Sequence, residues 1–351
     1  MATTAAAVWG RAEQQDFRAR VRGCLLGTAV GDALGTGDEA FGRRGAVTSA
    51  TQMSLFTVDG LIRAQVRRDT GAWHPPTDIH RAHLRWAATQ RDWGPDERRK
   101  DNGWLAREEW LYARRNPPRA CLTGLGDERI GTLAAPKNPE AADSGALARS
   151  APFGLLVGWE PQLVCQLAVE CAAQTHGAPA ATLAAGALAV TVHGVARGGS
   201  VEAAVARALE LLAGRPGHEP VTEALTAAVG AVREGVPDAG RVTGLGAGED
   251  RAEAQLATAV YCALVAEDVR HGLRLATVHD GPASVTGAVA GALLGALHGE
   301  TALPPAWLAE LEGRATVLEL ADDFSMEMTQ GAALHTATES SPGWLSRYPR
   351  A

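Results

Sequence analysis

The sequence RGCLLGTAVGDALG, residues 22–35, contains the pattern that decides the fold. Its glycines recur every four residues, at positions 23, 27, 31 and 35, and most residues between them are apolar. This spacing places the glycines along one face of a helix, where a second backbone can approach closely. A second row, at positions 287, 291, 295 and 299, repeats the pattern in GAVAGALLGALHG. We therefore predict two helices that pack tightly against neighbouring helices in the core of a soluble protein.

The rest of the chain is also dominated by helical patterns. Apolar residues recur at spacings of three and four in five further segments: 162–174, 183–196, 201–213, 221–233 and 252–265. Strand patterns are scarce, and no linker divides the chain. We predict an all-α fold, a single multi-helix domain over residues 17–335. We also expect a flexible N-terminus over 1–16 and a loosely attached tail over 336–351, while the weakly periodic segment 92–150 suggests a binding loop.

The composition excludes several classes of protein. Among the 351 residues, 33 are Lys or Arg and 40 are Asp or Glu, a net charge of -7 that argues against general nucleic-acid binding. No uninterrupted apolar run reaches the roughly 20 residues that a membrane span needs. The five cysteines are an odd number in mostly apolar surroundings, which indicates reduced core thiols rather than a disulfide framework. With no signal peptide apparent at the start, we expect a cytoplasmic protein without a membrane partner.

Two acidic residues near the first glycine row are candidate catalytic residues. Asp32 lies within an otherwise apolar helix, where an unpaired carboxylate would be costly, so it is either a hydrogen-bonded cap or a site carboxylate. Glu39 follows the expected end of that helix in a Gly-rich turn and could face a ligand. We predict Asp32 and Glu39 as catalytic, with Asp38 and Asp59 as reserve candidates.

Several motifs, in one consistent order, resemble the ADP-ribosylglycohydrolase family. They are RVRGCLLGTAVGDALGTGDE at 20–39, GWLAREEWLYARRNPPRACLTGL at 103–125, APFG at 151–154, QTHG at 174–177, the stretch 258–264, and HDGPASVTGAVAGALLGALHGETALPPAWL at 279–308. The resemblance extends from about residue 18 to residue 323. It implies an all-α fold with a cleft that holds ADP-ribose over two Mg²⁺ ions.

The chain departs from the family at both elements that the resemblance implies as metal ligands. A Thr-Asp-Asp-Thr element is represented here by Thr48-Ser-Ala-Thr51, and an Asp-x-Asp-x-Thr element by Pro282-Ala-Ser-Val-Thr286. All four metal carboxylates are therefore absent, and hydroxyl oxygens alone are poor ligands for a pair of divalent cations. We predict no cofactor, because the magnesium site of the family is lost.

A third departure lies in the ligand loop implied by the resemblance. The family's Ser-Lys-Gly-Cys-Gly-Gly-Val-Met-Arg is represented here by Ala-Ala-Asp-Ser-Gly-Ala-Leu-Ala-Arg at 141–149. We predict ligand contacts from the residues that match this loop and the other elements: Thr48, Ser49, Gly145, Arg149, His176, Ser284 and Thr286.

Two functions remain open at this stage. The first is a metal-independent glycosidase that cleaves a ribosyl bond to nitrogen or oxygen in ADP-ribose, a nucleoside or an NAD-derived compound. The second is a pseudoenzyme that binds a ligand or docks a partner without turnover. We expect a small ribosyl ligand as the partner, and the sequence does not identify a protein partner. Ligand binding and turnover, measured with and without Mg²⁺, discriminate between them.

Overall fold

The structure, a computed structural model, describes residues 9–37, 40–71, 73–95, 103–335 and 343–350. These residues form α-helices and short 3₁₀ turns and contain no β-strand, which confirms the all-α prediction. The helices are α1 (Arg11–Thr36), α2 (Ser49–Val66), α3 (Pro75–Thr89), α4 (Arg119–Gly124), α5 (Pro161–Ala172), α6 (Pro179–Val195), α7 (Val201–Leu212), α8 (Glu219–Ala231), α9 (Ala239–Gly244), α10 (Ala252–Leu264), α11 (Val269–Ala276), α12 (Ala283–His298), α13 (Pro305–Glu310), α14 (Arg314–His335) and α15 (Trp344–Arg347).

The two glycine rows pack against each other as the antiparallel pair α1 and α12. A Cβ atom added to Gly27 would lie within 3.0 Å of the Gly291 carbonyl, and one added to Gly291 would meet the Gly27 carbonyl in the same way. The prediction of close helix packing is therefore confirmed at both rows. The antiparallel direction also brings Gly35, near the end of α1, against the backbone of Ala283 and Ser284 at the start of α12.

The other predicted helices are present and enclose this pair. The five patterned segments correspond to α5, α6, α7, α8 and α10, each within a few residues of the expected bounds. Helix α2, buried along almost its whole length, packs against α3 and α14, while α10 contacts α8 and α12. All five cysteines are buried free thiols. None of the helices in the described ranges is both long and apolar enough to cross a membrane.

The ends of the chain differ from the sequence prediction. Helix α1 begins at Arg11, so residues 11–16 form helical turns rather than part of a flexible N-terminus. Residues 343–350 pack against the domain, because Trp344 and Tyr348 are buried and the Tyr348 hydroxyl donates to Asp323 Oδ2 at 2.6 Å. The expectation of a loosely attached tail is wrong for these residues, and 336–342 lie outside the described residues.

The segment predicted as a binding loop has little regular structure where it is described. Between residues 103 and 150 it contains short 3₁₀ turns and one six-residue helix, α4. Buried ion pairs attach it to the domain, as where the guanidinium of Arg115 bonds the carboxylate of Glu312. Its last part, residues 141–149, reaches the starts of α2 and α12.

Candidate functional site

The candidate site lies where the end of α1, the starts of α2 and α12, and residues 141–149 meet. Ala50, Ala148 and Ala288 form a small buried apolar cluster, with the partly buried Val285 packed against it. The Ser54 hydroxyl of α2 donates to the Ala148 carbonyl at 3.1 Å. These contacts hold together three segments that are distant in sequence, and Gly35 at the end of α1 lies against Ala283 of α12. Most of the predicted site residues lie on these four segments.

Asp32 bonds the start of α2 through both of its carboxylate oxygens. Its Oδ2 accepts the backbone N–H of Thr48 at 2.8 Å and that of Thr51 at 3.1 Å. The hydroxyl of Thr48 donates to Oδ1 at 2.8 Å, and that of Thr51 donates to Oδ2 at 2.6 Å. Burial raises the pKa of Asp32 to about 6, although these four bonds oppose the shift. The carboxylate is thus engaged in joining α1 to α2.

The start of α2 has few oxygen atoms that are free to bind a cation. The Thr48 hydroxyl donates to Asp32 and accepts the Ala50 N–H at 3.1 Å, while the Ser49 hydroxyl donates to the Asn116 carbonyl at 3.0 Å. Ser49 and Ala50 stand where the family resemblance implies aspartates. The Ala50 side chain lies in the apolar alanine cluster instead, so this half of the implied metal site is replaced by packed methyl groups.

The start of α12 also has no carboxylate at the implied metal positions, and its buried hydroxyl bonds an internal acceptor. The Thr286 hydroxyl is fully buried and donates to Gln255 Oε1 of α10, and His279 Nε2 lies 3.2 Å from Thr286 Oγ1. Pro282 offers no side-chain oxygen. Ser284 remains partly exposed at the first turn of the helix.

This donor set does not fit a pair of magnesium ions. Mg²⁺ requires near-octahedral oxygen coordination, usually with at least one carboxylate. The two elements supply hydroxyls that mostly bond internal acceptors, and both Asp32 oxygens are occupied. No group of three or more His, Cys, Asp or Glu side chains that could hold a metal occurs among the described residues.

A series of four hydrogen-bonded side chains links two residues of the segment 141–149, the buried Arg149 and the partly exposed Asp143. Arg149 Nη2 donates to Thr175 Oγ1 at 2.7 Å, and Thr175 Oγ1 lies 2.7 Å from His176 Nδ1. His176 Nε2 lies 2.8 Å from Asp143 Oδ1. Since Asp143 can only accept when ionised, Nε2 carries the proton, and Nδ1 accepts from the threonine hydroxyl. The structure therefore joins the predicted residues Arg149 and His176 through Thr175.

The last side chain of this hydrogen-bonded series is Asp143, which the sequence patterns did not identify as a site residue. Burial by itself would raise the pKa of Asp143, but the His176 bond and the Gly145 N–H at 3.0 Å outweigh it, and the pKa is lowered. Burial lowers the pKa of His176, so the imidazole is neutral at pH 7. The Asp143 side chain is 30% exposed. The sequence did contain a sign that Asp143 is unusual, because it occupies a position where the family loop has glycine.

The remaining predicted residues are placed as follows. Gly145 lies in the 3₁₀ turn Ser144–Ala146, and Arg149 is 1% exposed, with Cys121 Sγ at 3.3 Å and the Cys171 carbonyl at 3.2 Å. Asp59 pairs with Arg63 and Arg85 inside the α2–α3 region, away from the start of α2. Asp38 and Glu39 lie outside the described residues.

A cavity of about 410 Å³ lies elsewhere, between the start of α3 and the exposed face of α5. Trp73 and Trp159 are among its lining residues, and their rings pack edge to face with centroids 5.9 Å apart. None of the predicted site residues lines it.

Comparison with known proteins agrees with the fold. The sequence profile of the ADP-ribosylglycohydrolase family matches residues 13–333, so the chain belongs to this family. A solved structure described as an "ADP-ribosylglycohydrolase-related protein complex" has a TM-score of 0.63 and 26% identity, covering 90% of this chain and 100% of that one. Among curated proteins, none matches this sequence.

Proposed function

We propose that this chain binds a ribosyl ligand beside the starts of α2 and α12 and hydrolyses its C1″–N or C1″–O bond without magnesium. The observation that carries the proposal is the donor set of the two implied metal elements. Ala50 is packed among alanines, and Thr48, Ser49 and Thr286 donate their hydroxyl protons to internal acceptors. Family membership supports glycosyl hydrolysis as the class of reaction.

Carboxylates would perform the chemistry in place of the metal. In such a hydrolysis water attacks C1″, the glycosidic bond breaks, and the leaving group takes up a proton. The transition state resembles an oxocarbenium ion, which a nearby ionised carboxylate stabilises. Asp143 suits that role, since its pKa is lowered and it is partly exposed. Glu39 remains the sequence-based candidate for the group that transfers the proton.

A second candidate function is ligand binding without turnover. The observation that favours it is the engagement of Asp32, whose two oxygens accept four hydrogen bonds. A carboxylate held in this way joins helices and is not free to take a proton from water. If Glu39 also has no catalytic role, the site retains its shape and loses its proton-transfer group.

Calorimetry followed by turnover assays tests the proposal. Adenosine, NAD and ADP-ribose are titrated into the full-length chain with Mg²⁺ and, separately, with chelator. We expect at least one of them to bind equally well in both conditions and to release its base or aglycone. Turnover should fall at least about 100-fold in Asp143→Asn or Glu39→Gln. The control is Asp238→Asn, which changes an exposed aspartate that caps α9, outside the segments that form the site.

Each outcome distinguishes the candidates. Binding that resists chelation, with turnover lost in the variants, supports the metal-independent hydrolase. Binding of any of the three compounds without turnover supports the ligand-binding protein. Turnover that requires added Mg²⁺, or no binding of any compound, contradicts the proposed function.

A further inference from the structure

We infer that the ribosyl ligand of this site is a riboside without phosphate, because residues 141–149 are closed to phosphate by two of the chain's own carboxylates. The inference rests on the proposed function, since it concerns the ligand of the same site. It starts from the backbone N–H groups of the turn at Ser144 and Gly145.

Two successive backbone N–H groups of this turn bond intramolecular carboxylates. The Ser144 N–H donates to Asp250 Oδ1 at 3.1 Å, and the Gly145 N–H donates to Asp143 Oδ1 at 3.0 Å. The Ser144 hydroxyl adds a 2.6 Å bond to Asp250 Oδ1. Successive free amides in a tight turn are the usual backbone partners of phosphate oxygens. Here both are already satisfied by anions, so a phosphate would have to displace two carboxylates.

The neighbouring segments 141–146, 247–250 and 279–286 contain no Lys or Arg. Arg149 is 1% exposed and bonds the Thr175 hydroxyl and the Cys171 carbonyl, so its guanidinium faces the interior. Arg251 donates to Glu253 at 2.6 Å. A phosphate at the turn would therefore face Asp143 and Asp250. The exposed arginines beside these segments are Arg251 and Arg119, which follows the Pro118 packed against Gly145.

The three segments are in contact, so their charges act on the same space. The Ala252 N–H donates to the Ala142 carbonyl at 3.1 Å, which joins the turn to the start of α10. Gln255 of α10 donates to the Glu249 carbonyl at 2.6 Å and accepts from Thr286 of α12. Gly281 lies against the backbone of Ala247. Glu249 and Asp280 on these segments are exposed, which adds negative charge beside Asp143 and Asp250.

The same carboxylates suit an uncharged sugar. Asp143 uses Oδ1 for both its hydrogen bonds, from His176 and Gly145, and the side chain remains 30% exposed. An oriented carboxylate is a standard acceptor for ribose hydroxyls. The site thus favours a neutral or cationic riboside and disfavours its phosphate ester.

The test compares each riboside with its own 5′-monophosphate. Adenosine, AMP, nicotinamide riboside and nicotinamide mononucleotide are titrated calorimetrically into the full-length wild type and the Asp143→Asn, Asp250→Asn and double variants. In the wild type we expect each riboside to bind at least about tenfold more tightly than its phosphate. The ratio should fall towards one in the double variant, and Asp250→Asn alone should reduce it without altering the His176 bond.

Asp238→Asn and Asp268→Asn are the matched controls, since each changes a helix-capping aspartate outside the site. They should leave the ratio unchanged. A phosphate ester that binds the wild type as tightly as its riboside overturns the inference and leaves the proposed function standing. If the ratio of affinities for riboside and phosphate ester is unchanged in both Asp250→Asn and the double variant, the inference is also overturned. If neither member of either pair binds while NAD or ADP-ribose does, the inference is overturned. If NAD and ADP-ribose also fail to bind, the proposed function itself fails.

Discussion

The buried side chain of Asp32 was predicted to be catalytic, but its carboxylate connects two helices. Its four donors belong to Thr51 of α2 and to Thr48, which caps α2, while Asp32 itself lies on α1. The carboxylate therefore fixes the relative position of the two helices. The cost of this arrangement is the burial of a negative charge. Burial raises the pKa of Asp32 from 3.8 to about 6.

The raised pKa makes the stability contributed by Asp32 depend on pH. Between about pH 4 and pH 6 the folded chain keeps a proton that the unfolded chain has released, so the free energy of unfolding falls as pH rises. A shift of about two units corresponds to roughly 3 kcal/mol. Asp32→Asn removes this titration, so the stability difference between wild type and variant should shrink by up to that amount from pH 4 to pH 7.

Urea unfolding of both proteins across this range checks the prediction. Asp268→Asn is the control for losing a helix cap, because Asp268 accepts the His271 N–H in an exposed setting. A stability difference between wild type and Asp32→Asn that is constant or grows with pH would contradict the raised pKa. Should Asp32→Asn not fold, the wild type alone must show the corresponding carboxyl titration near pH 6 by NMR.

The sequence revealed some parts of the site and missed others for a physical reason. Motif spacing led to the choice of Thr48 and Thr286, which lie at the starts of α2 and α12, and of His176, whose Nε2 lies 2.8 Å from Asp143 Oδ1. It did not identify Asp143, whose significance comes from a partner 33 residues away. It also could not show that the Arg149 guanidinium faces the interior, because burial of a side chain depends on tertiary packing.

At the level of elements, the contact between α1 and α12 has the most specific sequence requirement. A Cβ atom on Gly27, Gly31 or Gly291 would come within 3.0 Å of backbone atoms of the opposite helix. Backbone cannot move aside as a flexible side chain can, so the two helices would have to separate. Such a separation would also displace the start of α12 from the end of α1.

We predict that Gly27→Ala and Gly291→Ala each lower the free energy of unfolding by about 3 kcal/mol or more, because overpacking against backbone cannot relax locally. The matched control is Gly230→Ala in α8, where an added Cβ atom meets nothing within 4 Å. That variant should be unchanged or up to about 1 kcal/mol more stable, since alanine favours helix. Equal effects in the core and control variants, measured by urea unfolding, would exclude close packing as the cause.

The helices could be predicted well because their signals are local. Apolar periodicity located α5, α6, α7, α8 and α10, and Ser200 does accept the Ala203 N–H as the cap of α7. Glycine spacing indicated that a backbone lies against each row. Which backbone it is could not be read from spacing alone, because the two rows are more than 250 residues apart.

Across the whole molecule, the last described segment closes the face formed by α2 and α14. Tyr348 is fully buried, its hydroxyl donates to Asp323, and it accepts the Trp104 Nε1–H at 3.1 Å. Trp344 is also buried, and its Nε1–H donates to Glu327 at 3.1 Å. The sequence did not predict this packing, because the residues before Trp344 show no helical pattern. Two buried aromatic residues are nevertheless enough to attach a short segment to the domain.

We predict that Tyr348→Phe lowers the free energy of unfolding by about 1–3 kcal/mol, because Asp323 and the Trp104 N–H each lose a buried partner. Ser346→Ala, at an exposed position of α15, is the control and should have little effect. Deletion of residues 343–351 should cost more than Tyr348→Phe, as it also uncovers the site of Trp344. A deleted chain as stable as the wild type in urea would contradict this role for the segment.

Whether the chain has a magnesium site can be tested by its thermal stability, because an ion that binds the folded chain must stabilise it by mass action. If a site had a Kd near 0.1 mM, about 10 mM Mg²⁺ would add roughly 2.7 kcal/mol to the free energy of unfolding. That increase corresponds to a rise in Tm of at least about 3 °C for a chain of this size. The hydroxyls of Thr48, Ser49 and Thr286 bond internal acceptors, so we expect a change smaller than about 1 °C in calorimetry. Ca²⁺ at the same concentration controls for general ionic effects, and a rise specific to Mg²⁺ of several degrees would show that the chain retains a magnesium site.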